Sequence, residues 1–238
     1  MGYARAGKAF LVAVAAAFFV PAAASAATLY DQLDNQATGP DQATPSYFYE
    51  NGTGDEQAAD DFTVPAGFTW QLTAAQVPGP TAPGNFNYRV TVFSDTGNRP
   101  GAQVFLRQAS VPLAGPTLTI PVGSTPQLQP GHYWISVQLM NLVSWAWQNR
   151  TVQSGSPAMW QNPDGSDGKP ECISWNLRTT CEPTTAAFPD QAFSVQGDSV
   201  PLPPAPVTPA KKKCKKHKKK HKRFAESAKK KCKKRKKK

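Results

Sequence analysis

Residues 131–139, with the sequence Gly-His-Tyr-Trp-Ile-Ser-Val-Gln-Leu, alternate between two sets of side chains over their whole length. One set is apolar and consists of Tyr133, Ile135, Val137 and Leu139. The other set consists of His132, Trp134, Ser136 and Gln138. Because successive side chains of a strand point to opposite faces, this period of two predicts a β-strand and not a helix.

Similar short windows recur on both sides of this strand, separated by turn-forming stretches such as Asn-Pro-Asp-Gly at 162–165. The further candidate strands are residues 60–64, 70–77, 87–94, 103–111, 118–122, 144–149, 159–161, 173–176 and 192–196. Residues 27–200 also contain 17 Pro and 15 Gly, which is too many helix breakers for a helical bundle. The pattern therefore predicts an all-β, antiparallel sandwich or barrel.

Several motifs in this region share one arrangement, a turn followed by a short strand. They lie at residues 29–32, 59–65, 92–101, 130–134, 160–163 and 190–193. Together they resemble the β-sandwich, jelly-roll-like modules of bacterial secreted and surface-sorted proteins. The resemblance implies an extracellular antiparallel β-sandwich, and it brings no catalytic residues and no cofactor.

Charge and composition divide the chain into four segments. Residues 1–26 have the basic, apolar and small-residue order of a secretory signal peptide, and the apolar run 9–20 is too short to span a bilayer. Residues 27–200 form the predicted sandwich, with 6 basic and 15 acidic residues. Residues 201–210 read as a Pro-rich linker, and 211–238 as a Lys-rich tail. The sequence therefore predicts an exported protein with no integral membrane segment after cleavage.

The tail carries 19 of the 27 basic residues and a single acidic one, Glu226. Such a density of like charges cannot bury a core, so we expect disorder in the free tail. A flexible polycation binds polyanions by releasing their counterions, which predicts anionic cell-wall polymers or other polyanions as partners. The residues chosen as polyanion-binding are Lys211, Lys212, Lys213, Lys215, Lys216, Lys218, Lys219, Lys220, Lys222, Arg223, Lys229, Lys230 and Lys231.

The four cysteines fall into two pairs. Cys172 and Cys181 lie in one loop of the body, and in an exported protein they predict a local disulfide. Cys214 and Cys232 lie in the tail with His217 and His221, a ligand set that zinc could use. The surrounding positive charge opposes a dication, so free thiols or a second disulfide compete with this interpretation. No metal is assigned.

The candidate ligand-binding residues of the body are aromatic and amide side chains. They are Trp134, Trp145, Trp147, Trp160 and Asn162. Flat rings beside amide groups suit a sugar, whose apolar face stacks while its hydroxyls hydrogen-bond. The competing interpretation is that these tryptophans fill the core.

Two functions from different classes fit these observations. The first is a non-catalytic, cell-envelope-associated sandwich that is held by its tail and displayed for adhesion or glycan binding. The second is a secreted, glycan-directed hydrolase that the tail keeps near a polyanionic substrate. His132 is the one histidine of the body, so any serine–histidine chemistry there must use it.

Overall fold

A computed structural model describes residues 26–39, 41–50, 52–79, 84–112, 115–140 and 145–203. The predicted signal peptide, except Ala26, and the tail lie outside these residues, as does the linker beyond 203. The strands are β1 (Ala27–Gln32), β2 (Ala43–Pro45), β3 (Tyr47–Phe48), β4 (Gln57–Val64), β5 (Phe68–Pro78), β6 (Asn85–Asp95), β7 (Pro100–Pro112), β8 (Thr117–Pro121), β9 (Gly131–Met140), β10 (Ala146–Arg150), β11 (Met159–Gln161), β12 (Asn176–Leu177), β13 (Asp190–Gln191) and β14 (Phe193–Pro201). Short helical segments are the 3₁₀ turns Pro170–Cys172 and Pro183–Thr185 and the α-helical turn α1 (Arg178–Cys181).

Two sheets form the sandwich. The smaller has the strand order β1-β14-β5-β8, and the larger runs β12-β11-β4-β9-β6-β7. A third, three-stranded group has the order β13-β10-β2. These pairings are antiparallel, and the parallel pair in the described residues is β3 with β9. The predicted all-β, antiparallel sandwich is confirmed.

The core lies between the two sheets. The larger sheet contributes Phe62, Tyr88, Val90, Ile135 and Val137, all with less than 2% of their surface exposed. The smaller sheet contributes Trp70, Leu72, Val77, Ile120 and Val195. Because each strand turns every second side chain inward, the two apolar sets meet and remove each other from water.

Strand β9 is buried on both of its faces. Tyr133, Ile135, Val137 and Leu139 face the core, as the alternation predicts. The opposite set is covered as well, because Trp134 packs with Ala59 and Met159 in a second apolar cluster. The side-chain amide of Gln138 donates to the main-chain oxygens of Tyr47 (3.2 Å) and Glu56 (3.0 Å). Strand β3 and the residue before β4 therefore contribute to the cover of the outer face of the larger sheet.

The body continues slightly beyond residue 200. Strand β14 ends at Pro201, and the Leu202 amide donates to the Gly67 main-chain oxygen at 2.7 Å. No helix among the described residues is long and apolar enough to cross a membrane.

Candidate functional site

A cleft of about 280 Å³ lies where the ends of three strands meet. It is lined by Pro45, Tyr47, Glu56, Trp145 and Ala146. Main-chain hydrogen bonds set this geometry, because Tyr47 and Glu56 exchange N–H···O bonds of 2.8 and 3.0 Å. The Ser46 amide donates to the Trp145 main-chain oxygen at 2.9 Å, which ties the start of β10 to the same point.

Glu56 is the carboxylic acid among the described residues that line the cleft. Its Oε1 atom accepts a 2.6 Å hydrogen bond from the Tyr47 hydroxyl, and its Oε2 atom has no hydrogen-bond partner among the described residues. The residue is only 9% exposed. Burial raises the pKa of Glu56 to about 7, although the bond from Tyr47 opposes this shift. The carboxyl group therefore changes its charge near neutral pH.

Charges outside the cleft also act on Glu56. Asp167 and Glu182 raise its pKa further, and Lys169 opposes them. Lys169 is paired with both of these acids, at 2.5 Å to Asp167 and 2.6 Å to Glu182. Its charge is thus largely balanced locally, and the field at Glu56 is negative.

The aromatic walls of the cleft are held by neighbouring rings. Trp145 is 6% exposed and packs edge-on against Tyr88, with a centroid separation of 5.6 Å. Tyr47 makes a similar edge contact with Tyr49 at 5.3 Å. These contacts restrict the rings, so the shape of the cleft is largely formed before any ligand enters.

A larger groove of about 440 Å³ lies elsewhere, between β7 and β8. Its lining residues are Ser110, Val111, Pro112, Thr117, Leu118, Thr119 and Pro121, none of which is ionisable. Volume alone would favour this groove, but chemistry favours the smaller cleft, since it combines aromatic walls with a perturbed carboxyl group.

His132 lies between two aspartates. Its Nε2 atom contacts the Asp61 carboxylate, and its Nδ1 atom lies 3.1 Å from Asp95 Oδ1. The Trp134 indole N–H donates to the same Asp95 oxygen at 2.9 Å. Both ring nitrogens are therefore in contact with aspartates, and the imidazole forms a clamp between β4, β6 and β9.

The two carboxylates of this clamp differ in their surroundings. Asp61 is 3% exposed, and burial raises its pKa against the opposing effect of the Ser156 amide and His132. Asp95 is more exposed, so the increase in its pKa caused by desolvation is outweighed by interactions that lower it. Hydrogen bonds from Trp134 and the Asn98 amide, together with His132, lower the pKa of Asp95.

A second group of buried charges ties strand ends together. Asp60 accepts hydrogen bonds from the Gln32 side chain (2.8 Å) and the Gln191 amide (2.7 Å). Arg150 pairs with Asp34 at 2.7 Å and approaches Asp190 to 3.8 Å. Burial raises the pKa of both Asp60 and Asp190. These contacts link the end of β1 to β4, β10 and β13, so we interpret them as structural.

The candidate ligand-binding residues that the sequence pattern indicates lie mostly in the interior. Trp134, Trp147, Trp160 and Asn162 have no exposed surface, and Trp145 alone of the five lines the cleft. Each buried indole N–H has a partner: Asp95 for Trp134, the Ala192 oxygen for Trp147 and the Pro45 oxygen for Trp160. The competing interpretation, that these side chains fill the core, describes Trp134, Trp147 and Trp160. A ligand-binding role remains a prediction, and the cleft supports it only for Trp145.

Sequence reasoning did not select Tyr47 or Glu56. They are nine positions apart, and neither residue belongs to a candidate strand or a motif of the sequence. Their proximity comes from an isolated β-bridge between the two residues, which no local pattern announces. Asn162 closes a turn, since its amide donates to the Asp55 main-chain oxygen, Asp164 and Ser166.

The disulfide between Cys172 and Cys181 is confirmed, with their Cα atoms 5.9 Å apart. It joins the first 3₁₀ turn to α1. The Asn162 amide donates to the Cys172 main-chain oxygen at 2.7 Å, so the bridge also supports the turn after β11. The tail residues chosen for polyanion or zinc binding lie outside the described residues.

No protein-family model matches the chain, and no curated protein matches it. Among solved structures, it is similar to the clostridial cysteine protease Cwp84 after propeptide cleavage, with 11% identity and a TM-score of 0.43. A second structure covers the cysteine protease and lectin-like domains of Cwp84, a surface layer associated protein of Clostridium difficile, with 11% identity and a TM-score of 0.39. The matches cover 62% and 60% of this chain, but only 36% and 32% of those chains. A similarity this distant assigns neither a family nor an activity.

Proposed function

We propose that this chain is a secreted, non-catalytic β-sandwich protein that is retained at the cell envelope and contacts glycans. In this proposal the tail at 211–238 binds anionic wall polymers by charge, and the body binds a sugar unit at the cleft of Tyr47, Glu56 and Trp145. The body would belong to the jelly-roll-like modules of bacterial surface proteins that the sequence resembles.

The observation that carries the binding role is the composition of the cleft. It combines two aromatic side chains with one carboxyl group, that of Glu56. Glycoside hydrolysis generally needs a second carboxyl group about 5–10 Å away across the bond. Asp167 and Glu182 act on Glu56, but neither is among the described residues that line the cleft. Both ring nitrogens of His132 are engaged by Asp61 and Asp95, which disfavours serine–histidine chemistry there. The site is therefore suited to hold a sugar more than to cleave it.

Secretion and envelope retention are supported by two features. The disulfide between Cys172 and Cys181 is of a kind that persists in oxidising compartments outside the cytosol. The body has a net negative charge and the tail a net positive one. The tail is therefore the segment suited to bind polyanions.

One observation favours the hydrolase alternative. With a pKa of about 7, a large fraction of Glu56 is protonated at neutral pH, as a general acid requires. If full-length protein releases reducing sugar from wall polysaccharide and Glu56→Gln abolishes this release, the hydrolase replaces the binding protein as the function.

The direct test compares the full-length chain with Trp145→Ala on a glycan array. Both proteins carry the same tail, so contributions of the tail cancel. We expect binding to selected glycans to be lost in Trp145→Ala while circular dichroism shows an intact β fold. Equal binding by the two proteins would overturn a glycan site at this cleft.

A second test addresses retention at the envelope. The host is fractionated while it produces either the full-length chain or a chain truncated before Lys211. We expect the full-length protein in the envelope fraction and the truncated protein in the medium. An envelope-bound truncated protein would contradict the role of the tail.

A further inference from the structure

We propose that the cleft of Tyr47, Glu56 and Trp145 recognises a primary ammonium group carried on a unit about the size of one sugar. An amino sugar with an unacetylated amine and a lysine side chain both present this chemistry. The inference rests on the proposed function, because it takes this cleft as the binding site of the body.

The lining of the cleft supports a cationic ligand. Tyr47 and Trp145 are aromatic lining residues, and the quadrupole of an aromatic ring attracts ammonium groups. Pro45 and Ala146 complete an apolar wall against which a ring or a methylene chain can pack. Glu56 places a carboxyl group beside these rings, and rings with a nearby carboxylate are favourable surroundings for an ammonium ion.

The charges around the cleft favour a cation over an anion. Asp167 and Glu182 both act on Glu56 with negative potential. Lys169 is the opposing cation, and its ammonium group is held in ion pairs with these same two acids. The described body is also acidic as a whole, so a negatively charged sugar would be repelled.

None of the described residues that line the cleft provides a positive charge for Glu56. Tyr47 donates to its Oε1 atom, and its Oε2 atom, which is itself buried, has no partner among the described residues. A ligand charge would therefore act on this oxygen from the cleft and would not need to contact it directly. Ionising a buried carboxyl group without compensation is unfavourable, and an ammonium group beside it would supply the missing positive charge. Binding should therefore be coupled to loss of the Glu56 proton. The cation should bind more tightly as the pH rises through 7.

The size of the cleft limits the ligand. A volume of about 280 Å³ is just below that of most small-molecule pockets, which usually measure ~300–1,000 Å³. One sugar ring or the end of one lysine side chain fits this space. An N-acetylated amino sugar has a similar ring but no positive charge, which makes it the matched comparison.

The experiment titrates the full-length chain with three probes at pH 7 and follows binding by calorimetry. The probes are glucosamine, N-acetylglucosamine and Nα-acetyl-lysine amide. We expect at least one of the two amines to bind about tenfold more tightly than N-acetylglucosamine. Tighter binding of glucosamine would support both the ammonium proposal and the proposed glycan contact. Tighter binding of the lysine amide would keep the ammonium proposal and overturn the glycan contact at this cleft. Because the unaltered chain is used, this comparison does not depend on whether a variant folds.

Two variants and a pH series complete the test. Glu56→Gln should lose the preference for the amine, whereas Glu171→Gln, at an exposed position, should keep it. The lysine amide stays charged from pH 6 to 8, so ionisation of Glu56 alone should strengthen its binding about tenfold over that range.

The possible failures are distinguishable. If N-acetylglucosamine binds as well as or better than the amines, and Trp145→Ala abolishes this binding, the cleft is a neutral-sugar site. The ammonium proposal then fails while the proposed function stands. If no probe binds and Trp145→Ala leaves glycan binding unchanged, both fail.

Discussion

At the scale of single residues, the cost of buried charge decides how this domain responds to pH. Glu56 is buried, one of its carboxyl oxygens has no partner among the described residues, and its pKa is raised to about 7. An acid whose pKa is higher in the folded state binds its proton more tightly there than in the unfolded chain. Its contribution to stability therefore grows as the pH falls from above 7 towards the unfolded pKa, and it is lost as the pH rises through 7.

We predict that the free energy of unfolding rises between pH 8 and pH 5.5. Glu56 alone should contribute about 2 kcal/mol to this increase. In Glu56→Gln the pH dependence should be shallower by about that amount. Urea denaturation of both proteins across this range measures the difference. Parallel curves for the two proteins would show that Glu56 ionises freely in the folded state.

We expect substitutions at His132 and Asp95, two members of the clamp, to lower the free energy of unfolding by different amounts. His132→Ala removes the imidazole from a carboxylate, Asp61, that is 3% exposed, and we expect a loss of about 2–4 kcal/mol. Asp95→Asn is the matched control, because Asp95 is 24% exposed and its Oδ1 atom can still accept from Trp134. This change should cost less than about 1 kcal/mol. Equal losses of unfolding free energy in the two variants, measured by urea denaturation, would contradict a clamp centred on Asp61.

At the scale of elements, the segment between β10 and β14 has little regular structure and depends on cross-links. The disulfide between Cys172 and Cys181 closes a loop with a sequence separation of 9. Replacing both cysteines with alanine should destabilise the protein by about 2–3 kcal/mol. Hydrogen exchange should increase mainly around α1 and the turn at Asn162, whose amide bonds to Cys172. Uniform acceleration over both sheets would instead indicate that the bridge supports the entire fold.

Trp147 of strand β10 packs in the core, so replacing it should measure how much this packing stabilises the protein. Trp147 packs edge-on against Phe193 at 6.0 Å and donates its indole N–H to the Ala192 oxygen at 2.8 Å. Trp147→Ala leaves a large cavity and an unpaired main-chain oxygen, so we expect a loss of about 3–5 kcal/mol. Thermal unfolding measures it, with Trp145→Ala as the comparison, since Trp145 borders the cleft. Unchanged stability in Trp147→Ala would contradict its burial.

At the scale of the whole molecule, charge is segregated along the chain. The body has more acids than bases, and residues 211–238 hold 19 basic residues. A lysine near an anionic surface contributes ~1 kcal/mol, so a few engaged residues suffice for retention. Such binding depends on charge density, and it weakens steeply with salt.

We predict that 1 M salt releases the full-length protein from cells without detergent, since screening then acts within ~3 Å. A chain whose tail sequence is scrambled at equal composition should bind cells as the natural one does. Immunoblotting of wash and cell fractions measures both. Retention in 1 M salt, or failure of the scrambled tail, would point to a specific site such as Cys214, His217, His221 and Cys232.

Local patterns were enough to predict the class of this fold. The alternation at 131–139, the turn residues and the abundance of Pro and Gly depend only on neighbouring positions, and they led to the antiparallel sandwich. The disulfide was also predictable, because Cys172 and Cys181 are close in sequence. In both cases the signal in the sequence lies within about ten residues, although the strand pairings of the sandwich join distant segments.

The position of the site was decided by tertiary structure alone. Tryptophans suit either a core or a sugar surface, and only the packing of both faces of β9 and β10 shows that Trp134 and Trp147 are interior. The cleft needs Tyr47, Glu56 and Trp145 to meet through main-chain bridges between distant segments. The pKa of Glu56 depends on burial, and burial is a property of the assembled fold. A linear pattern carries no record of which segments cover one another, so this site became visible only in three dimensions.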